Sequence, residues 1–455
     1  MVKNAHYLLL VFVALLATSC SKSKDPLTCV PEDAAMVLKL YPEDLVKQAD
    51  IKIDGGKMSI AGLDLPEDDD MDRLAKLADC GIDWEQGLVV ASPGEDVNKV
   101  LFIASVKDEK TFDEYLLTPD KHGNKPEKSE ENGITYYKDV TYNVAVKDGL
   151  MIAAELGKNE MSKFFDLDKN ITDNDKAMER LSQKGQLVCY VDYGKVATSA
   201  MKLLGAAMPL QYAVFANLVS EAAKDGGFTM TADKSKLNYS SQCALNEESQ
   251  FIKMLKPTMT KIEDTQFLNY LPANAMYYMA VSVNGQELAD SDLSTMMLTT
   301  FGLTGLKECF SNINGPVAVA WAGDDAFYAA VKCKDPKPVY AMIESLGSKD
   351  LGTVSIQGDY IVLASKQAQM GASQLADKFK GKTIAMYGDL SAQSMPYKFY
   401  LEAEDLTSNK AVLETTDGKN ILQSLIQLIY KPSPIMKTLA TESEADSIDN
   451  AFGAN

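Results

Sequence analysis

The chain has 455 residues, 45 of them Lys or Arg against 64 Asp or Glu, for a formal net charge of −19, and 46% are hydrophobic. Only Arg73 and Arg180 are arginine. Arginine is the usual bidentate reader of phosphate, so this scarcity and the acidic surface exclude nucleic acid and phosphate-rich ligands as partners, while the length and apolar content suffice for two cores.

The N-terminus reads as a targeting segment. Lys3 supplies a positive start, and Tyr7 to Ala17 is an apolar stretch of h-region length, too short to span a bilayer in the usual way. Ala17-Thr18-Ser19-Cys20 then resembles the lipobox of a bacterial lipoprotein, although Ala17 stands where leucine is commonest. A cut before Cys20 makes 1–19 a signal peptide and Cys20 the lipid attachment site. The alternative is an ordinary secretory signal that leaves Cys20 a free thiol. Several acyl chains would anchor firmly where one binds only marginally. Residues 20–28 are expected to form a polar tether whose Lys22 and Lys24 suit anionic head groups.

Further along, the chain repeats itself in order. "VPEDAAMVLKL" (Val30 to Leu40) returns as "LPANAMYYMAV" (Leu271 to Val281), and "GLVVAS" (Gly87 to Ser92) as "GPVAVAW" (Gly315 to Trp321). "KVLFIASVK" (Lys99 to Lys107) returns as "AFYAAVK" (Ala326 to Lys332). Each is followed by a helical pattern, Phe112-Tyr115-Leu116 and Val339-Met342-Ile343. "VAVKDGLMIAAE" and "VSIQGDYIVLAS" read as hairpins on Gly-bearing turns. The final hairpins begin at Phe228 and Phe399. The offset falls from 241 residues between Pro31 and Pro272 to 171 between Phe228 and Phe399. Ordered matches with a shrinking offset predict duplication followed by deletion.

The expected fold class is therefore α+β, in two tandem homologous copies, each a largely antiparallel sheet with flanking helices. Copy one covers 29–262 with a helical insert at 197–223, copy two covers 263–430, and 431–455 is a disordered tail. Val100, Phe102, Ala104 and Val106 share one strand face and Leu101, Ile103 and Ser105 the other. Both are mostly apolar, so part of the sheet is covered on both sides.

The lipobox cysteine followed by apolar-Pro-x-Asp/Asn-Ala, then strand and helix, resembles a family of Gram-negative envelope lipoproteins classed as a domain of unknown function. That resemblance implies an envelope lipoprotein without assigned activity. It supplies no catalytic residues.

Catalytic patterns are weak. Apart from His6 in the signal, His122 in a polar loop, "PDKHGNKPEKSEENG", is the only histidine, so Ser-His-Asp, Cys-His and multi-His zinc sites cannot be assembled. "KGKT" (Lys380 to Thr383) ends like a phosphate loop, but Ala376 stands at the first glycine and the order is helix-loop-strand. "DLPEDDDMD" (Asp64 to Asp72) reads as a solvated loop and acidic first turn. In "DKNITDNDKAME" calcium-loop spacing fails at Asp173 and Lys176, and Thr172 or Asp173 is expected to cap the next helix. Cys29, Cys80, Cys189, Cys243, Cys309 and Cys333 are an even six in an exported chain, which allows disulfides. Their wide spacing favours buried single thiols.

The most informative unrepeated segment is Ala197 to Ala223, read as two apolar helices broken near Pro209. Core packing is one reading. The other is an interaction surface formed by Leu204, Met208, Leu210, Val214, Phe215 and Leu218. The functional expectation is a non-catalytic binding or assembly protein, lipid-anchored in the cell envelope at the outer membrane. It has a protein or apolar ligand as partner and no cofactor, metal or catalytic residue. The alternatives are a carboxylate-dependent glycan or peptide hydrolase and a carrier of an apolar ligand.

Overall fold

The phrase that opens each half of the chain does the same structural work twice. In the computed structural model, Val30 O accepts from Ile171 N at 2.8 Å, and Leu271 O accepts from Gly371 N at 2.8 Å. Ala35 N donates to Ser92 O at 3.0 Å, and Met276 N to Trp321 O at 2.7 Å. Val30 and Leu271 are wholly buried, each at the edge of its own core. The apolar residue plugs a core while the proline, which has no N–H to leave unsatisfied, turns the chain into its strand.

The structure describes residues 24–430 except 55–56, 61–74, 95–98, 120–122, 124, 139–141, 205–220, 293, 296–298, 300–305, 324–325, 346–351 and 392–394. The signal segment with Cys20, the acidic stretch Asp64 to Asp72, His122 and residues 431–455 lie outside the described residues.

The first half runs β1 (Met36–Leu40), α1 (Pro42–Gln48), a small hairpin β2 (Ile51–Asp54) and β3 (Lys57–Ile60), β4 (Leu88–Ser92), β5 (Leu101–Ser105) and α2 (Glu109–Leu116). It continues with β6 (Glu127–Glu131), β7 (Ile134–Lys138), β8 (Asn143–Lys147), β9 (Leu150–Ala154), α3 (Lys158–Met161), α4 (Asp175–Leu181) and β10 (Leu187–Asp192). It closes with α5 (Tyr193–Leu204), β11 (Ala223–Asp233), β12 (Lys236–Leu245) and α6 (Gln250–Leu255). The second half opens with β13 (Tyr277–Asn284), α7 (Gly285–Asp290), α8 (Lys307–Asn312), β14 (Ile313–Trp321) and β15 (Phe327–Cys333). Then come α9 (Pro336–Ser345), β16 (Thr353–Gln357), β17 (Tyr360–Ala364), α10 (Ala376–Phe379), β18 (Ile384–Asp389), β19 (Tyr397–Ala403), β20 (Ser408–Thr415) and α11 (Ile421–Tyr430).

Among the described residues, all strands but β2 and β3 join one antiparallel sheet of 18 strands. Following the pairings, its order is β6-β7-β8-β9-β5-β4-β1-β10-β11-β12-β20-β19-β18-β13-β14-β15-β17-β16. The halves meet where β12 pairs β20, from Lys236↔Glu414 to Gln242↔Ser408. Away from that seam, β8-β9-β5-β4-β1-β10-β11-β12 in one half runs in the same order as β16-β17-β15-β14-β13-β18-β19-β20 in the other. The fold is thus a mixed helix–sheet protein built on a large antiparallel sheet.

Each half buries one sheet face deeply. In the first, Val37, Val89, Leu101, Ile103, Ile152 and Tyr190 pack under Leu27, Met161 and Ile171. In the second, Tyr278, Ala280, Ala318, Tyr328 and Val362 pack under Phe267, Leu271 and Phe379. Two of the helices that flank the sheet start on an aspartate acceptor. Asp108 accepts from the Lys110 and Thr111 amides at 3.1 Å to open α2, and Asp335 accepts from Lys337 N at 3.0 Å at the start of α9.

Several expectations need correction. The fold begins before the expected tether ends: Pro26–Cys29 is a 3-10 turn capped by Asp25, and Leu27 is only 2% exposed. Leu27 is an apolar residue in a polar stretch, and burying it orders its neighbours. Glu127–Glu131, expected within a solvated loop, is an edge strand closed onto β7 by Asn132 and Gly133, both at positive φ. Its register comes from β7, not from its own charged side chains. The cap of α4 is Asn174, accepting from Ala177 N at 3.1 Å, while Asn170 caps the preceding 3-10 turn in a capping box with Asp173.

Candidate binding face

The opposite face of the second half and the seam is the most distinctive surface. Cross-strand register aligns Phe327, Trp321, Tyr277, Gly388, Phe399, Leu413 and Leu237 in one row running across β15, β14, β13, β18, β19, β20 and β12. The adjacent row is Ala329, Val319, Met279, Met386, Leu401, Ala411 and Tyr239. Side chains two apart on a strand share a face, so these rows form one continuous apolar floor. All are half-buried except the buried Gly388 and the exposed Trp321, at 39%.

Aromatic contacts hold the floor in shape. Trp321 and Phe327 meet edge-on at 5.3 Å, and the Tyr277 and Phe399 rings are tilted against each other at 5.8 Å. Gly388 lies beneath the Phe399 ring, and a Cβ there would fall 2.1 Å from Phe399 Cε1. Two shallow depressions share Met386. One, of about 380 Å³, is lined by Met276, Tyr277, Met279 and Trp321. The other, of about 300 Å³, is lined by Leu237, Tyr239, Phe399, Leu401 and Leu413.

Two helical layers flank this trough. On the far side, α8 and α9 bury Cys309, Val339, Met342 and Ile343 against Val331 and Ile361. On the near side, α11 covers β11, β12 and β20 and sends Ile421, Leu422 and Ile426 into the first-half core, beside Leu45, Ala49 and Ile51. Gln423 Nε2 donates to Ala49 O at 2.9 Å, and Ile421 N to Lys234 O at 2.7 Å. The last helix of the second half thus completes the core of the first.

Ionisable groups lie elsewhere and are mutually compensated. Burial pushes the Asp264 carboxyl up, but the hydrogen bond from Lys332 Nζ at 2.7 Å and one from Gln266 N outweigh it, leaving it below its ordinary value. Burial and the adjacent Asp264 carboxylate push Tyr360 well up. Burial likewise opposes the bonds that Lys382 and Tyr400 donate to Glu402, at 2.8 and 2.7 Å, and the bonds prevail. The carboxylates brought directly opposite each other are Asp192 and Asp225, in the β10–β11 register, within a polar cleft of about 650 Å³ that Asn174, Tyr190 and Thr198 also line. Lys176 pairs Asp225 at 3.2 Å, while Asp192 accepts from Lys195 N at 3.1 Å. Among the described residues no group of three or more His, Cys, Asp or Glu is placed to hold a metal.

Among the described residues the six cysteines are free thiols, all buried except the half-buried Cys243. Burial pushes Cys29, Cys80 and Cys189 up to about 12 and Cys333 to about 11, which makes them packing residues at neutral pH. "KGKT" is the turn into β18, where Gly381 N donates to Ile262 O at 2.8 Å and Thr383 Oγ1 to Glu404 O at 2.8 Å. Of the expected interaction surface, Leu204 ends α5, which starts at Tyr193. Met208, Leu210, Val214, Phe215 and Leu218 lie outside the described residues.

No family model matches the chain, and no curated protein matches it. Among solved structures it is similar to crystal form I of TP0453, with 11% identity and a TM-score of 0.29 over 79% of this chain and 97% of that one. For crystal form III the figures are 12%, 0.29, 78% and 98%. For crystal form IV they are 11%, 0.30, 78% and 95%. At these scores the likeness carries no argument about this chain.

Proposed function

We propose that this is a lipid-anchored envelope protein, held at the outer membrane through Cys20, that works by binding rather than catalysis. Its trough takes the apolar face of an amphipathic segment of a partner protein. The observation that carries this reading is the two-row apolar floor from Phe327 to Tyr239. The five strands from β15 to β19, beyond the cover of α11, span roughly 20 Å at the usual strand spacing, about the length of a 13-residue helix. Helix-in-groove recognition uses such a surface. A carrier of a small apolar ligand needs an enclosed site that covers most of its ligand. The depressions at Met386 are shallow and open.

For the hydrolase alternative, Asp192 and Asp225 lie with Glu221 in the polar cleft. Asp225 is paired by Lys176, and Asp192 accepts from the Lys195 amide. The displaced carboxylates, Asp113, Asp264 and Glu402 among them, are held down, whereas a general acid needs a raised pKa.

The two halves are read as tandem copies of one α+β unit, 29–262 and 263–430. Matching strand order and matching hydrogen bonds at Val30 and Leu271 support this. Leu204, Met208, Leu210, Val214, Phe215 and Leu218 are assigned to the same binding role as the trough. Two experiments test the reading. Cys20→Ala should release the protein from membrane fractions or stall its processing. Leu401→Glu, placing a charge on the floor, should abolish binding of an amphipathic helical peptide while leaving the far-UV spectrum unchanged. A Leu401→Glu chain that still binds the peptide would end the trough assignment.

A further inference from the structure

The two ends of the sheet are finished differently. At the first-half end, β8 is covered by β7, and the outermost strand β6 reads Glu-Lys-Ser-Glu-Glu. Charge on an edge strand discourages pairing with another chain. At the second-half end the outermost strand is β16, Thr353-Val354-Ser355-Ile356-Gln357, with no charge, no proline and no bulge in its pairing to β17. Among the described residues no strand pairs with its outer side.

Register identifies which backbone groups face out. The two-residue turn at Gly358 and Asp359 makes Gln357↔Tyr360 the closing hydrogen-bonded pair, so Ser355 and Thr353 also bond inward. The N–H and C=O groups of Val354 and Ile356 therefore point away from the sheet. Their counterparts in the first-half order are Val144 and Val146 on β8, which pair with Tyr137 and Thr135 of β7. Val354 packs against the cluster containing Val339 and Met342, which holds the strand in place from one face, while Ile356 stays 40% exposed. The chain itself thus displays, on the matching strand, the kind of element that completes such an edge.

We infer that β16 is a strand-acceptor site for an extended segment of a partner polypeptide. The segment adds antiparallel in the β7 manner, its two outward-bonding residues opposite Ile356 and Val354. Main-chain bonds supply the affinity in this mode, and alternate side chains the specificity. An aromatic residue at the position opposite Val354, as Tyr137 stands opposite Val144, is the chemistry expected of the occupant. This site is separate from the trough and stands without it.

The test uses the full chain and a synthetic hairpin peptide of residues 125–138, with amide hydrogen exchange resolved to single residues. At millimolar peptide the Val354 and Ile356 amides should exchange at least tenfold more slowly. The same peptide N-methylated at Thr135 and Tyr137, which lacks the two donors that face the acceptor edge, should give no protection. Ile356→Pro removes an outward N–H without touching the hairpin bonds and should abolish the effect. Ile356→Lys, which keeps that N–H, serves if the proline variant misfolds and should weaken it. Unchanged exchange at millimolar peptide would overturn the inference, as would both amides being protected in the dilute, peptide-free chain. Protection that rises with protein concentration together with a doubled mass would show that a second copy occupies the edge, which also overturns it.

Discussion

Phe399 lies across Gly388 so closely that no side chain at position 388 fits beneath its ring, and this is what carries Phe399 to within 5.8 Å of Tyr277. Gly388→Ala must therefore swing the ring off the floor or displace the strand. Such overpacking costs about 1–3 kcal/mol. Chemical denaturation should show that loss, and peptide binding to the trough should weaken with it. An alanine variant as stable as the parent, with an unchanged Phe399 environment, would contradict the geometry.

Ile421 is wholly buried in the first-half core although it lies near the end of the second half. Ile421→Ala should destabilise the protein by about 2–5 kcal/mol, the usual range for a large-to-small change at a buried site. The loss should be felt first at Leu45 and Ala49, read as faster amide exchange there. Faster exchange confined to the second half would show that α11 does not serve the first.

Asp264 and Lys332 predict a defined acid response. The Asp264 carboxyl titrates below its ordinary 3.8 in the folded protein, so its contribution is complete above 3.8 and is lost as pH falls through the folded value. Lys332 is shifted the other way, so its share persists through neutral pH and fades only as pH rises above the ordinary lysine range. Asp264→Asn should cost about 1–3 kcal/mol at pH 7, because Lys332 and Tyr360 lose a charged acceptor. The difference from the parent should shrink toward pH 2. A pH-independent difference between the two urea midpoints would rule this out.

The thiols should be silent in the native state. A chain lacking Cys20 should react negligibly with a thiol-specific disulfide reagent at pH 8, then release six equivalents on unfolding, from the cysteines at 29, 80, 189, 243, 309 and 333. Fast native reaction at Cys29 or Cys189 would contradict their burial.

Much of the sheet was legible in the sequence, because the apolar runs at Leu101 to Ser105 and Tyr278 to Val281 mark strands that lie in the interior. Elements whose position depends on a partner were not. Nothing in Glu127 to Glu131 alternates, and its strand exists because β7 offers a ladder. The α11 sequence shows an apolar face but not which core receives it. Asn174 was hidden behind a second capping residue, Asn170, four positions earlier. The trough was illegible for a deeper reason. Trp321, Tyr277, Phe399 and Leu237 come from four separated strands, and only the pairing register sets them in a row. The candidate surface that was read, Leu204 to Leu218, drew attention because it is contiguous in sequence.

The trough assignment has a built-in reporter, because the chain has two tryptophans and only Trp321 sits on the floor, 39% exposed, while Trp84 is 5% exposed in the first-half core. The decisive measurement is Trp321 emission in a Trp84→Phe chain titrated with a leucine–lysine amphipathic helical peptide at physiological salt. The account predicts a saturable blue shift in the parent background and none when Leu401→Glu is added. Emission that stays unshifted to saturating peptide, or a shift that survives Leu401→Glu, would contradict it.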